Sequence, residues 1–131
     1  MARIDKLNRS SFRAPLAADW GAGDVGDVVG VGLNASGQVV KGAGATGIEG
    51  VVCITEVMVA GDIVDVLQDG SEIADFNTLA DGSTATTVGT RYYAATANGA
   101  VSTTNTGAPI GVTLVTNGSR RLRVKIERPA A

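Results

Sequence analysis

Four times along this chain a short run of strand-forming residues breaks at a glycine-containing turn and then resumes. DVVGVGL and QVVK flank Asn34-Ala-Ser-Gly37, and IVDVL and SEIADF flank Gln68-Asp69-Gly70. RYYAATA and AVST flank Asn98-Gly99, and GVTLVT and RRLRVKIE flank Asn117-Gly118-Ser119. Asn-Gly and Asp-Gly steps between such runs are strong hairpin signals, because the central residues of the matching turn need φ above zero. The last strand alternates most clearly: Leu122, Val124 and Ile126 are expected to face a core, with Arg121, Arg123, Lys125 and Glu127 facing out. Gly 18 with aromatics at 4% fits this reading, since many tight turns demand glycine more than bulk. The expectation is an all-β fold, with residues 71–79 the one stretch where a helix is an alternative.

A longer pattern overlies the turns. Gly50-Val-Val-Cys-Ile-Thr55 corresponds to Gly111-Val-Thr-Leu-Val-Thr116, and the turn at Ala60-Gly61-Asp62 corresponds to Asn117-Gly118-Ser119. The offset stays at about sixty residues, and two such units are too few for a solenoid. They are expected to form two halves of one closed or nearly closed barrel, an arrangement that removes exposed sheet edges.

At 131 residues the chain fits one domain, able to bury about two-thirds of its unfolded surface. No apolar run approaches the roughly 18 residues of a membrane span, so the chain reads as a soluble, non-secreted protein without a signal peptide. The single cysteine, Cys53, rules out an internal disulfide and reads as a small buried thiol. There is no histidine, which removes the commonest general base and the commonest zinc ligand together.

The formal charge of -2 conceals a polarised layout. Arg3, Lys6, Arg9 and Arg13 outweigh Asp5 at one end, and Arg120, Arg121, Arg123, Lys125 and Arg128 outweigh Glu127 at the other. Between them, residues 14–119 hold two basic and eleven acidic residues. An acidic body argues against free nucleic-acid binding and for charge-complementary protein contacts.

Residues 1–26 keep no sustained period, include Pro15 and end in a Gly/Asp cluster. They are expected to form an extended N-terminal arm ahead of a β-barrel domain over residues 27–128. The alternative is a first strand or cap packed on its own barrel.

The chemistry-bearing motifs are weak. Gly42-Ala-Gly44-Ala-Thr-Gly47 is a literal G-x-G-x-x-G, yet a strand-like stretch follows where a dinucleotide site needs a helix. Glu56-Val-Met58-Val-Ala-Gly61-Asp62 is similar to the turn of biotinyl and lipoyl carrier domains, but no lysine occupies that turn. Asp62, Asp65, Asp69, Glu72, Asp75 and Asp81 offer oxygen ligands without the calcium-loop spacing. Serines and threonines are plentiful, but without histidine none has an evident activator. No catalysis, no cofactor and no metal site are expected.

Gly89-Thr-Arg-Tyr-Tyr-Ala-Ala-Thr-Ala-Asn-Gly-Ala-Val-Ser, Ala108-Pro-Ile-Gly-Val-Thr-Leu-Val and residues 50–66 together carry a resemblance. Their tokens are a short glycine hairpin, a strand opening in Gly-Val, and a glycine turn into another alternating strand. In these the chain resembles the head decoration, or cement, proteins of tailed bacteriophages, over about residues 27–127. The resemblance implies a small β-barrel or β-tulip, a virion structural protein that binds the outer surface of the major capsid protein shell and stabilises it. It further implies a homo-oligomer, commonly a trimer, on the virion exterior, made in the bacterial host cytoplasm, with no nucleic acid or membrane partner.

In such families an N-terminal arm often reaches the capsid. Arg3, Lys6, Arg9 and Arg13 are accordingly expected to steer that arm, and Phe12 and Trp20 to anchor it. A second expectation, from another class, is an adhesion or carbohydrate-binding β-barrel module of a phage fibre or surface structure, with Tyr92 or Tyr93 stacking on a ligand.

Overall fold

The computed structural model describes residues 11–69, 72–74, 89–103, 107–113 and 121–125. Among the described residues, ten strands form two five-stranded sheets, with one 3-10 turn at Ala22–Asp24. The all-β expectation holds. In the first sheet, β1 (Ser11–Pro15), β5 (Ile63–Leu67), β4 (Gly50–Cys53), β2 (Val28–Leu33) and β3 (Val39–Gly44) lie side by side in that order. The second runs β6 (Glu72–Ala74), β10 (Arg121–Val124), β9 (Gly107–Thr113), β7 (Arg91–Ala95) and β8 (Val101–Ser102).

These two orders are the same order. Adding five to each strand number of the first sheet reproduces the second, so the sixty-residue repeat seen in the sequence is a repeat of a five-strand unit. The repeated phrases lie in different sheets, as β4 and β5 in one and β9 and β10 in the other. One local difference separates the units: β2 and β3 pair in a parallel sense with a register shift at each step, whereas β7 and β8 pair antiparallel.

The first sheet curls until its far edges meet. Beyond β1, Leu16 bridges Val39 of β3, and Ala17 N–H donates to Val39 O at 3.0 Å. The curl is filled from within by Ala14, Leu16, Trp20, Val29, Val31, Val39, Val52, Ile54, Val64 and Val66. On β5 the alternation is visible directly: Val64 and Val66 are buried, Ile63 and Asp65 exposed.

A second cluster lies between the sheets. Val28, Ile48 and Val51 come from the first unit, and Tyr92, Ala94, Val101, Ile110 and Val124 from the second. Strands β2 and β4 therefore bury both faces, which is why they read as near-continuous apolar runs without alternation.

The units also meet backbone to backbone. The β7–β8 turn, with Gly99 at φ +73, presses on β2: Gly30 N–H donates to Gly99 O at 2.8 Å, and Val29 bridges Ala100. A Cβ on Gly30 would collide with Ala94 Cβ, and one on Gly99 with Gly30 O. Side chains are excluded here so that two sheets can touch.

Two expected hairpins are found, β7 to β8 and β9 to β10; the turn between the latter two, at residues 117–119, lies outside the described residues. Two are not. The Asn34 turn forms, with Asn34 Oδ1 accepting from Ser36 N–H and Gln38 N–H at 2.9 Å each. Yet β2 and β3, though neighbours, pair in a parallel sense with register shifts, and just past β3 Ala45 N–H donates to Leu33 O at 2.8 Å. At Gln68-Asp69-Gly70 the chain changes sheets, so β5 and β6 are not partners. Residues 72–74, inside the proposed helical stretch, form a strand; the remainder of that stretch lies outside the described residues.

Candidate interaction surface

The N-terminal segment is placed differently from a free arm over its described part. Ser11–Pro15 is a full strand in register with β5, from Ser11↔Leu67 to Pro15↔Ile63. Trp20 is 4% exposed and forms part of the core within the curl. Its N–H donates to Met58 O at 2.8 Å and its carbonyl accepts from Met58 N–H at 3.0 Å. Trp20 is thus packed into the core of its own sheet.

Phe12 is half-buried against the same cluster. Arg13 points outward, its side chain 76% exposed, and its Nε donates to Asp65 Oδ1 at 2.8 Å. Arg3, Lys6 and Arg9 lie outside the described residues. Of the six expected contact residues, the structure therefore brings Phe12 and Trp20 into one core and leaves Arg13 on the surface.

Two surface depressions sit beside this segment. One, about 560 Å³, is lined by Ser11, Phe12, Arg13, Asp65 and Leu67. The other, about 190 Å³, runs along Ala17 to Trp20 and Val39 to Lys41. Within the second region Lys41 Nζ bonds Asp24 Oδ1 at 2.7 Å and stands 5.9 Å from the centre of the Trp20 ring, within cation–π range.

The Lys41 hydrogen bond, foremost, holds the Asp24 carboxyl below its ordinary 3.8. A carboxylate with a depressed folded-state pKa adds stability above its unfolded pKa and loses it as pH falls through the folded value. Lys41→Met is therefore expected to melt below the parent chain at neutral pH. The gap should narrow as pH falls through and below 3.8, to what the ring contact alone contributes. A gap constant from neutral to strongly acid pH in thermal melts would show that the ion pair contributes nothing.

Among the described residues, no three Asp, Glu or Cys side chains gather as a metal-ligand set. Asp62 is used in its own turn and Asp65 faces Arg13, while Asp75 and Asp81 lie outside the described residues. Cys53 is half-buried on the inter-sheet cluster, and burial pushes its thiol pKa up. Tyr92 is fully buried between the sheets and Tyr93 half-buried on the opposite face.

A surface that the motif reading passed over lies in the β4–β5 connection. Val57 and Val59 are 58% and 53% exposed, and Ile63, which opens β5, is 58% exposed. Met58 between the two valines packs inward against the Trp20 cluster, so this stretch alternates as a strand does. Its shape is set by several bonds. Asp62 Oδ2 accepts from Val59 N–H at 3.0 Å, Asp19 Oδ1 accepts from Ala60 N–H at 2.8 Å, and Leu16 O accepts from Gly61 N–H at 2.9 Å. The apolar side chains are held out on a braced loop, with exposed Glu56 on that loop, Asp65 on β5 and Asp19 from the β1–β2 connection bonded to it. The signal was present in the sequence as V-M-V alternation ahead of Gly61-Asp62.

No protein-family model matches the chain, and no curated protein matches it. A solved structure from Mycobacterium phage Patience is similar, with a TM-score of 0.70 over 98% of this chain and 97% of its own and 17% identity. That likeness shows a shared fold along the whole length.

Proposed function

We propose that this chain is a phage virion structural protein, a capsid decoration protein that binds the outside of the major capsid protein shell and reinforces it without catalysis. The fold shared with a phage chain from end to end is the observation that carries this reading. The architecture supports it mechanically. Two sheets joined through a packed core and a side-chain-free backbone contact resist shear, and many weak contacts repeated on one lattice gain from multivalency. Among the described residues no helix is long and apolar enough to cross a membrane.

The capsid contact is assigned to the basic residues ahead of β1, namely Arg3, Lys6 and Arg9, together with exposed Arg13. They act as a short steering segment and not as a long hooked arm, because Phe12 and Trp20 belong to the core. Removing residues 2–10 leaves β1 and Trp20 in place, so the truncated chain is expected to melt as the full chain does but to sediment with purified mature capsids at reduced occupancy. Full occupancy of the truncated chain would overturn the assignment. A full-length chain that ignores capsids and binds a glycan surface instead would overturn the reading itself, in favour of an adhesion module.

A further inference from the structure

We infer that Asn98 is a self-modification site, kept silent by the closed junction between the two sheets and, once fired, a bar to that junction closing again. The chemistry is intrinsic to an Asn-Gly step. The backbone nitrogen of the glycine loses its proton and attacks the side-chain Cγ of the asparagine, ammonia leaves, and a cyclic imide forms. Water then opens the ring at either carbonyl, giving an aspartate or an isoaspartate in which the main chain runs through the side-chain carbon. Overall, water is taken up and ammonia released. Glycine suits the step because no side chain shields its nitrogen. The sequence holds it at Asn98-Gly99 and at Asn117-Gly118, the latter outside the described residues.

In the fold Asn98 is exposed to water, but Gly99 is buried. The attacking nitrogen is engaged, since Gly99 N–H donates to Ala95 O at 2.7 Å. Attack needs that proton removed and the nitrogen turned toward Cγ, and the bond opposes both. The electrophile is tied as well, with Asn98 Oδ1 accepting from Ala100 N–H at 3.0 Å. Around the turn, Ala95 N–H donates to Ala100 O at 2.9 Å and Gly30 N–H donates to Gly99 O at 2.8 Å, while Val29 bridges Ala100. Freeing the Gly99 nitrogen therefore means parting the β7–β8 turn from β2. A reaction that proceeds only from an opened state runs at a rate scaled by the population of that state.

The isoaspartate product cannot return to this arrangement. It adds a methylene to the main chain between Asn98 Cα and Gly99 N, where even a Cβ on Gly99 would collide with Gly30 O and crowd Gly42 N. The bonds of Gly99 and Ala100 to Ala95 and Gly30 cannot all be remade across the longer link. The aspartate product keeps the parent backbone, and its carboxylate can still accept from Ala100 N–H, so it closes. None of this needs a partner, and it stands apart from the capsid reading.

Ageing of the full chain at mildly alkaline pH, followed by peptide mapping with mass spectrometry, tests both halves. In native buffer Asn98 is expected to react about a hundredfold or more slowly than in guanidinium chloride above the unfolding transition. At intermediate denaturant its rate should climb with the open fraction. When chains aged unfolded are diluted to refold, isoaspartate at position 98 should be confined to the fraction that does not regain the parent melt, with aspartate at that position in the folded fraction. Asn98→Asp, which carries the charge without the added methylene, should refold and melt as the parent does. A native chain that reacts at Asn98 as fast as the unfolded one overturns the inference. So does isoaspartate at position 98 spread evenly between folded and misfolded fractions, and so does an Asn98→Asp chain that fails to fold, which would put the damage on the charge and not on the backbone.

Discussion

Gly99→Ala is expected to cost about 2–5 kcal/mol of folding free energy, while Gly37→Ala costs about 1–2 kcal/mol. Both glycines occupy turns that follow the second strand of a unit, and both have positive φ, +73 and +78. The conformational penalty for an added Cβ is therefore common to the pair, about 1–2 kcal/mol. They differ in crowding. A Cβ at Gly37 meets nothing within 4 Å, whereas at Gly99 it meets Gly30 O and lies 2.9 Å from Gly42 N. Those neighbours are backbone of the other unit and cannot step aside as a side-chain end does, so overpacking adds about 1–3 kcal/mol. Urea denaturation of the two variants reads the difference directly. Equal losses would mean that the junction between the sheets tolerates separation and that the inter-unit core alone joins them.

That pair also shows what the sequence could and could not tell. Asn98-Gly99 was legible as a hairpin because the turn requirement is local, and the flanking runs do pair as β7 and β8. What Gly99 touches was not legible, because Gly30 lies far away in the chain and only folding brings them together. The same limit explains Gln68-Asp69-Gly70: turn residues specify that the chain reverses, not which strand the next segment joins, and β6 pairs with β10 instead of β5. The sixty-residue offset was visible in apolar pattern, but its meaning as a repeated strand order depends on non-local pairing. Strand β1 was legible only as the alternative to an extended arm, for a different reason. Phe12, Ala14 and Leu16 alternate with Ser11, Arg13 and Pro15, yet a small Ala14 and the proline blur the period. Pro15 is tolerated at the end of this strand, where a missing ladder donor costs least. The exposed face of the β4–β5 loop was not legible because its apolar residues resemble core: only the structure shows Met58 turned in and Val57 and Val59 turned out.

Trp20→Ala is expected to cost about 3–5 kcal/mol, against about 1 kcal/mol or less for Arg13→Ala, although both positions were expected to serve one arm. Trp20 is 4% exposed among Leu16, Val39 and Ile54, so truncation removes a large buried surface and leaves a cavity where the first sheet closes on itself. The neighbouring Lys41 loses its ring partner as well. Arg13, by contrast, makes one ion pair with Asp65 in which both side chains are well exposed, and solvent screens most of its attraction. An arm anchor would show the opposite order. Its loss would leave the melting temperature unchanged and lower capsid occupancy, because an arm contributes nothing until it docks. Denaturation of the two variants in the absence of any partner therefore separates the alternatives. A Trp20→Ala chain that melts with the parent would show that the curl closes without the indole and would restore residues 11–26 to an arm. A chain destabilised as expected leaves residues 1–10 as the segment before β1 that remains to reach a neighbour.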